Sequence, residues 1–419
     1  MTIEISTLSN GLRVATDKQD SVESVSLGAW IGVGARNEQA EVNGVAHLLE
    51  HMVFKGTEKR SAYDIAEEIE AVGGQLNAYT SRENTAFYAK VLSDDVPLAL
   101  DTVADILQRP LFDEEELQKE RHVVLQELGQ ANDTPDDIIF DHFQETAYSS
   151  QSLGRPVLGR SEVVSQLSST DLRSYLSSNY GSDTMVVCAS GKVEHSEFVK
   201  LAEDQFGGLQ KIGPKVLEPA SYIGGDFREE RDLEQVHFLL GFKGTDYLNQ
   251  DYYASNVLST LFGGGMSSRL FQEIREKRGL VYTIYSFASS FMDNGLFGIY
   301  AGTGEKEIAE LVPVVSDMML ELTDSITEEE VVRARTQLKA SILMGRESTG
   351  VRCEQLAQQL LIFNRSIPVE ETVAKIDAVD VNTVQDFAKE MLKSPMTMAA
   401  LGPLKNLESN DLLEKRFVA

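Results

Sequence analysis

His47, Glu50 and His51, in the run His47-Leu48-Leu49-Glu50-His51, are side chains that together can hold and use a divalent cation. Four residues apart on a helix, the two imidazoles stack about 5–6 Å from each other and can share one ion. Glu50, one position before the second histidine, can reach a water on that ion without ligating it. The order inverts that of the HExxH zinc helix. In a chain with six histidines, such a pentapeptide arises by chance roughly once in a hundred sequences, which makes two unrelated histidines beside a solvated glutamate the weaker reading.

The motif needs a helix, and its surroundings supply one. Asn43 is predicted as N-cap, Val45, Leu48, Leu49 and Met52 form an apolar face, and Gly56 ends the segment. Before it, Val25, Leu27, Ala29, Ile31 and Val33 alternate as in a half-buried strand. After it a helix is predicted from Ala62 to Val72, then strands Gln75–Thr80 and Thr85–Leu92 joined by the polar Ser81-Arg82-Glu83-Asn84. Helical patterns dominate from Val96 to Tyr180, apart from a loop at Gly154-Arg155-Pro156. A strand at Met185–Ala189 and a helix at His195–Phe206 close the half.

The order then restarts, with a strand at Val236–Phe242 and a helix at Tyr252–Leu261. Thr383 precedes a helix and a strand near Thr397, as Thr170 precedes Thr184. We read two diverged copies of one α/β unit, the second without HxxEH. The division is residues 1–210 as a zinc-binding catalytic domain, 211–228 as a Gly-rich linker, and 229–419 as a second domain.

Bulk properties narrow the class. A chain of 419 residues exceeds one ordinary core, and 42% apolar with 25% charged residues is globular composition. A formal charge of −28 disfavours nucleic acid and anionic membranes and suits basic peptides, although acidity also serves solubility alone. No apolar run is long enough to span a bilayer, and Met1-Thr2-Ile3-Glu4-Ile5 does not resemble a signal peptide, so a cytoplasmic protein with no membrane insertion is expected. Cys188 and Cys353 have no metal-binding spacing and read as buried thiols.

A catalytic zinc takes three protein ligands and leaves one position open. Asp113 with Glu116 has the spacing of a capping box and starts a predicted helix to Gly129. On it Glu120 and Glu127, seven apart, share a face with Leu117, Val124 and Leu128. A carboxylate there is costly unless something such as a metal neutralises it, and an exposed Glu120 remains open as the alternative.

With Glu127 placed 76 positions after His51 in Glu120-Arg121-His122-Val123-Val124-Leu125-Gln126-Glu127, the chain resembles the pitrilysin-type metallopeptidases, most closely the mitochondrial processing peptidase branch and its bacterial relatives. The likeness spans almost the whole chain. It includes Asn77-Ala78-Tyr79-Thr80-Ser81-Arg82-Glu83, Leu153-Gly154-Arg155-Pro156 and Gly265-Met266-Ser267-Ser268-Arg269-Leu270-Phe271.

The resemblance implies an α+β fold of two homologous α/β-roll domains in a clam-shell, each a mixed, largely antiparallel sheet with helices on one face. It implies one Zn2+ per chain on His47, His51 and Glu127, with Glu50 as general base and Glu120 hydrogen-bonding around the site. Arg275 and Tyr282 match a C-terminal pair that holds a substrate carbonyl and donates to the developing oxyanion. Asn77, Ala78, Tyr79 and Thr80 form the edge to which an extended peptide adds as a strand. Asp137 and Asp141 match acidic positions that receive a basic residue near the cut, against the plainer reading of a solvated helix start. The short Gly263-Gly264-Gly265 loop departs from the long glycine-rich loop of the two-chain enzyme and suggests a homodimer.

The function expected is a zinc endopeptidase acting on extended or unfolded peptides, presequence-like ones with a basic residue near the cut included. Two alternatives are an enzyme active only with a related partner chain and a non-catalytic core-type subunit.

Overall fold

A computed structural model of the chain describes residues 2–213 and 217–417, so positions 214–216 of the expected linker lie outside the described residues. Among the described residues eleven strands form two sheets. The first contains β1 (Thr2–Thr7), β2 (Arg13–Lys18), β3 (Ser24–Ile31), β4 (Gln75–Thr80), β5 (Thr85–Leu92) and β6 (Met185–Gly191), in the order β1-β2-β6-β3-β5-β4. The second contains β7 (Gly225–Glu230), β8 (Val236–Lys243), β9 (Val281–Ser290), β10 (Gly295–Thr303) and β11 (Thr397–Gly402), in the order β7-β11-β8-β10-β9. Without β1, the two orders are the same. Each sheet has one parallel pair, β2 with β6 and β7 with β11, and is otherwise antiparallel. The repeated topology is the structural form of the internal duplication in this two-domain α+β fold.

The expected strands 75–80 and 85–92 and the helix 195–206 have those bounds. Local pattern does not predict the hairpins β1–β2 and β9–β10: β2 and β10 are buried on both faces and lack the alternation of a half-buried strand, while burial varies irregularly along β1 and β9. Strand β7, Gly225–Glu230, begins inside the expected linker 211–228 and runs past its end, because its backbone pairs with β11 from far along the chain.

Five helices concern the site: α1 (Val45–Met52), α2 (Ala62–Ala71), α3 (Val96–Gln108), α4 (Glu114–Asn132) and α5 (Pro135–Ala147). One face of the first sheet, with Val14, Val25, Leu27, Phe87 and Val187, packs against Leu48, Leu49 and Met52 of α1, the apolar side of α3, and helices Ser169–Asn179 and His195–Phe206. Side chains alternate across a sheet, so Ala15, Trp30, Ala86, Val186 and Cys188 point to the other face. That face is covered by Cys353, Leu356, Ala357 and Leu360 of helix Thr349–Phe363.

The second sheet repeats the device. Leu239, Leu296, Tyr300, Ala399 and Leu401 are covered by Ile139, Phe143, Ala147 and Tyr148 of α5 and its C-cap. The two compact units are therefore 1–129 with 155–218 and 343–367, and 130–154 with 219–342 and 368–419. They cut across the contiguous division at 211–228. The one-face picture describes the helices from the same half, and a helix from the other half closes the opposite face. Strands apolar on both sides, such as β6 with all seven residues buried, require that second cover.

Candidate metal centre

Helix α1 presents both imidazoles on one side while Val45, Ala46, Leu48, Leu49 and Met52 are buried on the other. The rings of His47 and His51 have centroids 4.8 Å apart. Helix α4 brings Glu127 to them: Glu127 Oε2 is 3.7 Å from His47 Nε2 and 3.6 Å from His51 Nε2. Tetrahedral zinc with bonds of about 2.0–2.2 Å sets its ligand atoms roughly 3.4 Å apart, so this separation fits with little adjustment. His47, His51 and Glu127 are the one His/Cys/Asp/Glu group among the described residues whose ligand atoms converge in this way.

The protonation states suit a metal. Burial, with the neighbouring His51, pushes His47 down to about 4 and keeps it neutral, as a ligand must be. His51 Nδ1 is held by Glu120 Oε2 at 3.1 Å, and Glu120 Oε1 takes Lys55 Nζ at 2.8 Å. Glu120 is 6% exposed, which removes the exposed-helix alternative and places it behind His51. Its carboxylate lies on the Nδ1 side of the imidazole, away from the Nε2 that faces Glu127. His47 Nδ1 is buried without a hydrogen-bond partner among the described residues, so no such bond from them orients that ring.

Glu50 lies beside the triad. Burial raises its pKa, while a hydrogen bond from Thr80 Oγ1 at 2.6 Å and the nearby His51 oppose the rise and Glu127 adds to it. The Thr80 side chain therefore holds the carboxylate, a role the residue's place in a substrate strand did not suggest. That strand, β4, is the edge of its sheet. Asn77 Oδ1 accepts from Ala78 N at 2.8 Å. Tyr79 points to the sheet's other face, where its hydroxyl donates to Glu354 Oε1 at 2.5 Å, so only its backbone is available to a peptide.

Two expectations about helix starts are corrected. The N-cap of α1 is Gly44, in the left-handed region at φ +99°, and not Asn43. A Cβ there would meet Leu158 O at 2.9 Å and Gly159 Cα at 3.0 Å, so only glycine fits. Glu38 provides the cap from outside the helix, accepting from Gly44 N at 2.9 Å and Ala46 N at 2.8 Å. No spacing rule marks Glu38, since it reaches the helix from an irregular segment. At α4, Asp113 does cap Glu115 N and Glu116 N, but Glu116 turns to Lys119 and leaves the reciprocal bond of a capping box unmade.

Arg275 and Tyr282 belong to the second compact unit. Arg275 lies in the last turn of a π-helical segment, Phe271–Lys277, and Tyr282 follows on β9, 74% exposed. The guanidinium lies 5.5 Å from the Tyr282 ring centre and 4.7 Å from that of Phe271, so the fold does bring the pair together. Asp137 and Asp141 stand one turn apart on α5, in the same unit. Burial, with the like charges of Asp141 and Asp136, raises the Asp137 pKa. Among the described residues no helix is long and apolar enough to cross a membrane.

Comparison with known proteins places these geometries. Residues 13–161 match the family model described as insulinase (peptidase family M16), and residues 166–338 match the peptidase M16 inactive domain. An uncharacterized zinc protease of Rickettsia felis is 40% identical over 95% of this chain and 97% of its own length. A probable mitochondrial-processing peptidase subunit beta of Arabidopsis thaliana is 37% identical over 98% of this chain and 80% of its own. Among solved structures, a protease from Helicobacter pylori superposes with a TM-score of 0.88 at 23% identity, over 96% of this chain and 99% of that one. A chain of Complex III2 from Candida albicans gives 0.87 at 23% identity, over 99% of both. At that identity the last two speak for the fold alone.

Proposed function

The chain belongs to peptidase family M16, and on that premise we propose that it is a zinc-dependent endopeptidase cutting extended or unfolded peptides, with one zinc per chain on His47, His51 and Glu127. The observation that carries this reading is the convergence of His47 Nε2, His51 Nε2 and Glu127 Oε2 beside a carboxylate, Glu50, that is poised but does not ligate. Held by these three residues, zinc would supply the Lewis acidity that activates a water and polarises a scissile carbonyl. Glu50 would take the proton of the attacking water and return it to the leaving amine, with its Oε2 held by the Thr80 hydroxyl. Glu120 keeps the His51 ring aligned through Nδ1.

The substrate lies along β4, whose outer edge offers main-chain donors and acceptors that ignore sequence. Arg275 and Tyr282 are assigned, on the family likeness, to gripping a substrate carbonyl and donating to the oxyanion. Asp137 and Asp141 are assigned to a basic residue near the cut. A homodimer is the assembly carried with these assignments. A non-catalytic core subunit has no use for a complete ligand set with its base, and this chain retains all four residues.

Metal analysis of the purified protein should give close to one zinc per chain. Glu50→Gln should keep that zinc while peptide hydrolysis falls by about 10²–10⁴-fold. A zinc-free native protein, or a Glu50→Gln variant with undiminished hydrolysis, would overturn the assignment.

A further inference from the structure

Helix α1 has only eight residues and no side-chain cap of its own, yet it carries two of the three converging ligand groups and the base. A helix that short has little intrinsic stability, so its position depends on outside contacts. At its start those contacts meet in one carboxylate. Glu38, 4% exposed, accepts from Gly44 N and Asn43 Nδ2 with Oε2, at 2.9 and 2.7 Å, and from Ala46 N with Oε1 at 2.8 Å. Ala46 immediately precedes His47.

The same residue is tied to a second segment. Arg155 Nη2 donates to the Glu38 carbonyl oxygen, and Asn43 Nδ2 also donates to Pro156 O at 3.1 Å. Gly159 closes this contact, since a Cβ on it would lie 2.7 Å from Gly44 Cα. The start of α1 is thus fixed in position and direction by a buried acid on one side and the 155–159 loop on the other. A negative charge at the positive end of a helix is also favoured electrostatically.

We propose that Glu38 is a positioning residue of the metal centre: its ionised carboxylate sets the position of α1, so that metal affinity depends on a group that touches neither the metal nor the substrate. This rests on the zinc reading above. The charge state is finely balanced. Burial raises Glu38 to about 7, against the lowering effect of the Ala46, Asn43 and Gly44 bonds and of Arg155. The Tyr175 and Tyr180 hydroxyls also face it; burial holds both far above neutrality, so neither titrates with it. His47, held near 4, does not titrate in that range either. On protonation, an oxygen that accepts two hydrogen bonds would have to share its place with a proton, and the cap loosens.

Zinc affinity of the full-length protein, measured by competition with a chromogenic chelator between pH 6 and 8, tests this. Wild type is measured first: failure to bind zinc there overturns the peptidase reading and this inference with it, whereas the variant outcomes below bear on this inference alone. In Glu38→Gln an amide replaces the carboxylate and cannot accept from all three donors. At pH 8 its zinc Kd should rise about 10–100-fold, the usual effect of losing support behind a ligand. Wild type should lose up to about tenfold more affinity than the variant between pH 8 and pH 6, since only wild type has the Glu38 proton to gain. A merely structural role would not produce that difference in slope. A folded Glu38→Gln protein with wild-type zinc affinity, or with the wild-type pH slope, overturns the inference. If Glu38→Gln does not fold, Asn43→Ala decides: a severalfold weaker zinc affinity in the folded variant supports the inference, and unchanged affinity overturns it.

Discussion

Arg352 and Asp17 form the buried contact that fastens helix Thr349–Phe363 to the first sheet. Arg352 Nε donates to Asp17 Oδ2 at 2.7 Å and Nη2 to Oδ1 at 2.6 Å, with the two side chains 1% and 2% exposed. Removing one partner strands the other charge in the interior, which costs about 3–5 kcal/mol, whereas replacing both with apolar groups is commonly neutral. Arg352→Met should therefore destabilise the first compact unit by that amount, and adding Asp17→Leu should recover most of it. For a unit of this size, about 2–4 °C per kcal/mol turns the single loss into a fall in Tm of roughly 10 °C. The reporter is built in. Trp30 is the chain's single tryptophan, it is 2% exposed, and its Nε1 donates to Glu354 Oε2 on the same helix at 2.7 Å. Thermal unfolding followed by tryptophan emission should show the drop in Arg352→Met and its recovery in the double variant. Additive losses in the double variant, or an Arg352→Met transition coincident with wild type, would refute the claim that this helix is part of the N-terminal fold.

Glu120→Ala frees His51 Nδ1 and the Lys55 ammonium, and should weaken zinc binding about 10–100-fold in a chelator competition. Asp137→Asn combined with Asp141→Asn should erode any preference for arginine near the cut, read by mass spectrometry of a peptide library, with zinc content unchanged. Expression of residues 1–210 alone leaves the Trp30 and Val186 face without helix Thr349–Phe363; it should give an aggregating product that binds a hydrophobic dye, and a monodisperse, cooperatively folded fragment would contradict this. Glu330 is held at about 2, where burial, which raises it, is outweighed by the Arg269 pair and the Thr327 backbone and hydroxyl bonds. Its folded pKa lies below its unfolded value near 4.5, so its contribution is complete above that value and is lost as pH falls from about 4.5 toward 2. Glu330→Gln should remove about 2–3 kcal/mol at pH 7 and flatten that acid limb in denaturation measured across the range.

The zinc motif was legible because helix geometry turns spacing directly into proximity. His47 and His51 at i and i+4 must share a side, and Glu120 and Glu127 seven apart must share another, whatever the rest of the chain does. The strand before α1, the β4–β5 hairpin and the restart of the pattern after residue 230 were legible from local pattern as well, although β3, expected to be half-buried, is buried on both faces. The unread parts depend on contacts distant in sequence. Glu38 caps α1 from an irregular segment, Thr80 grips Glu50 from thirty positions away, and Tyr79 leaves the substrate side to meet Glu354.

By itself, then, the sequence determined the chemistry available on α1 and α4, the class of fold and its duplication, because each is written in residue types at short fixed intervals. Spacing left Glu120 and Glu127 equivalent and only the family resemblance separated them; the tertiary structure sets Glu127 beside both imidazoles and Glu120 behind His51, and it alone decided which helix covers which sheet. Those choices depend on where apolar faces find cover: β6 and its neighbours are apolar on both sides, the helices of their own half can bury only one, and a helix from the opposite end of the chain closes the other.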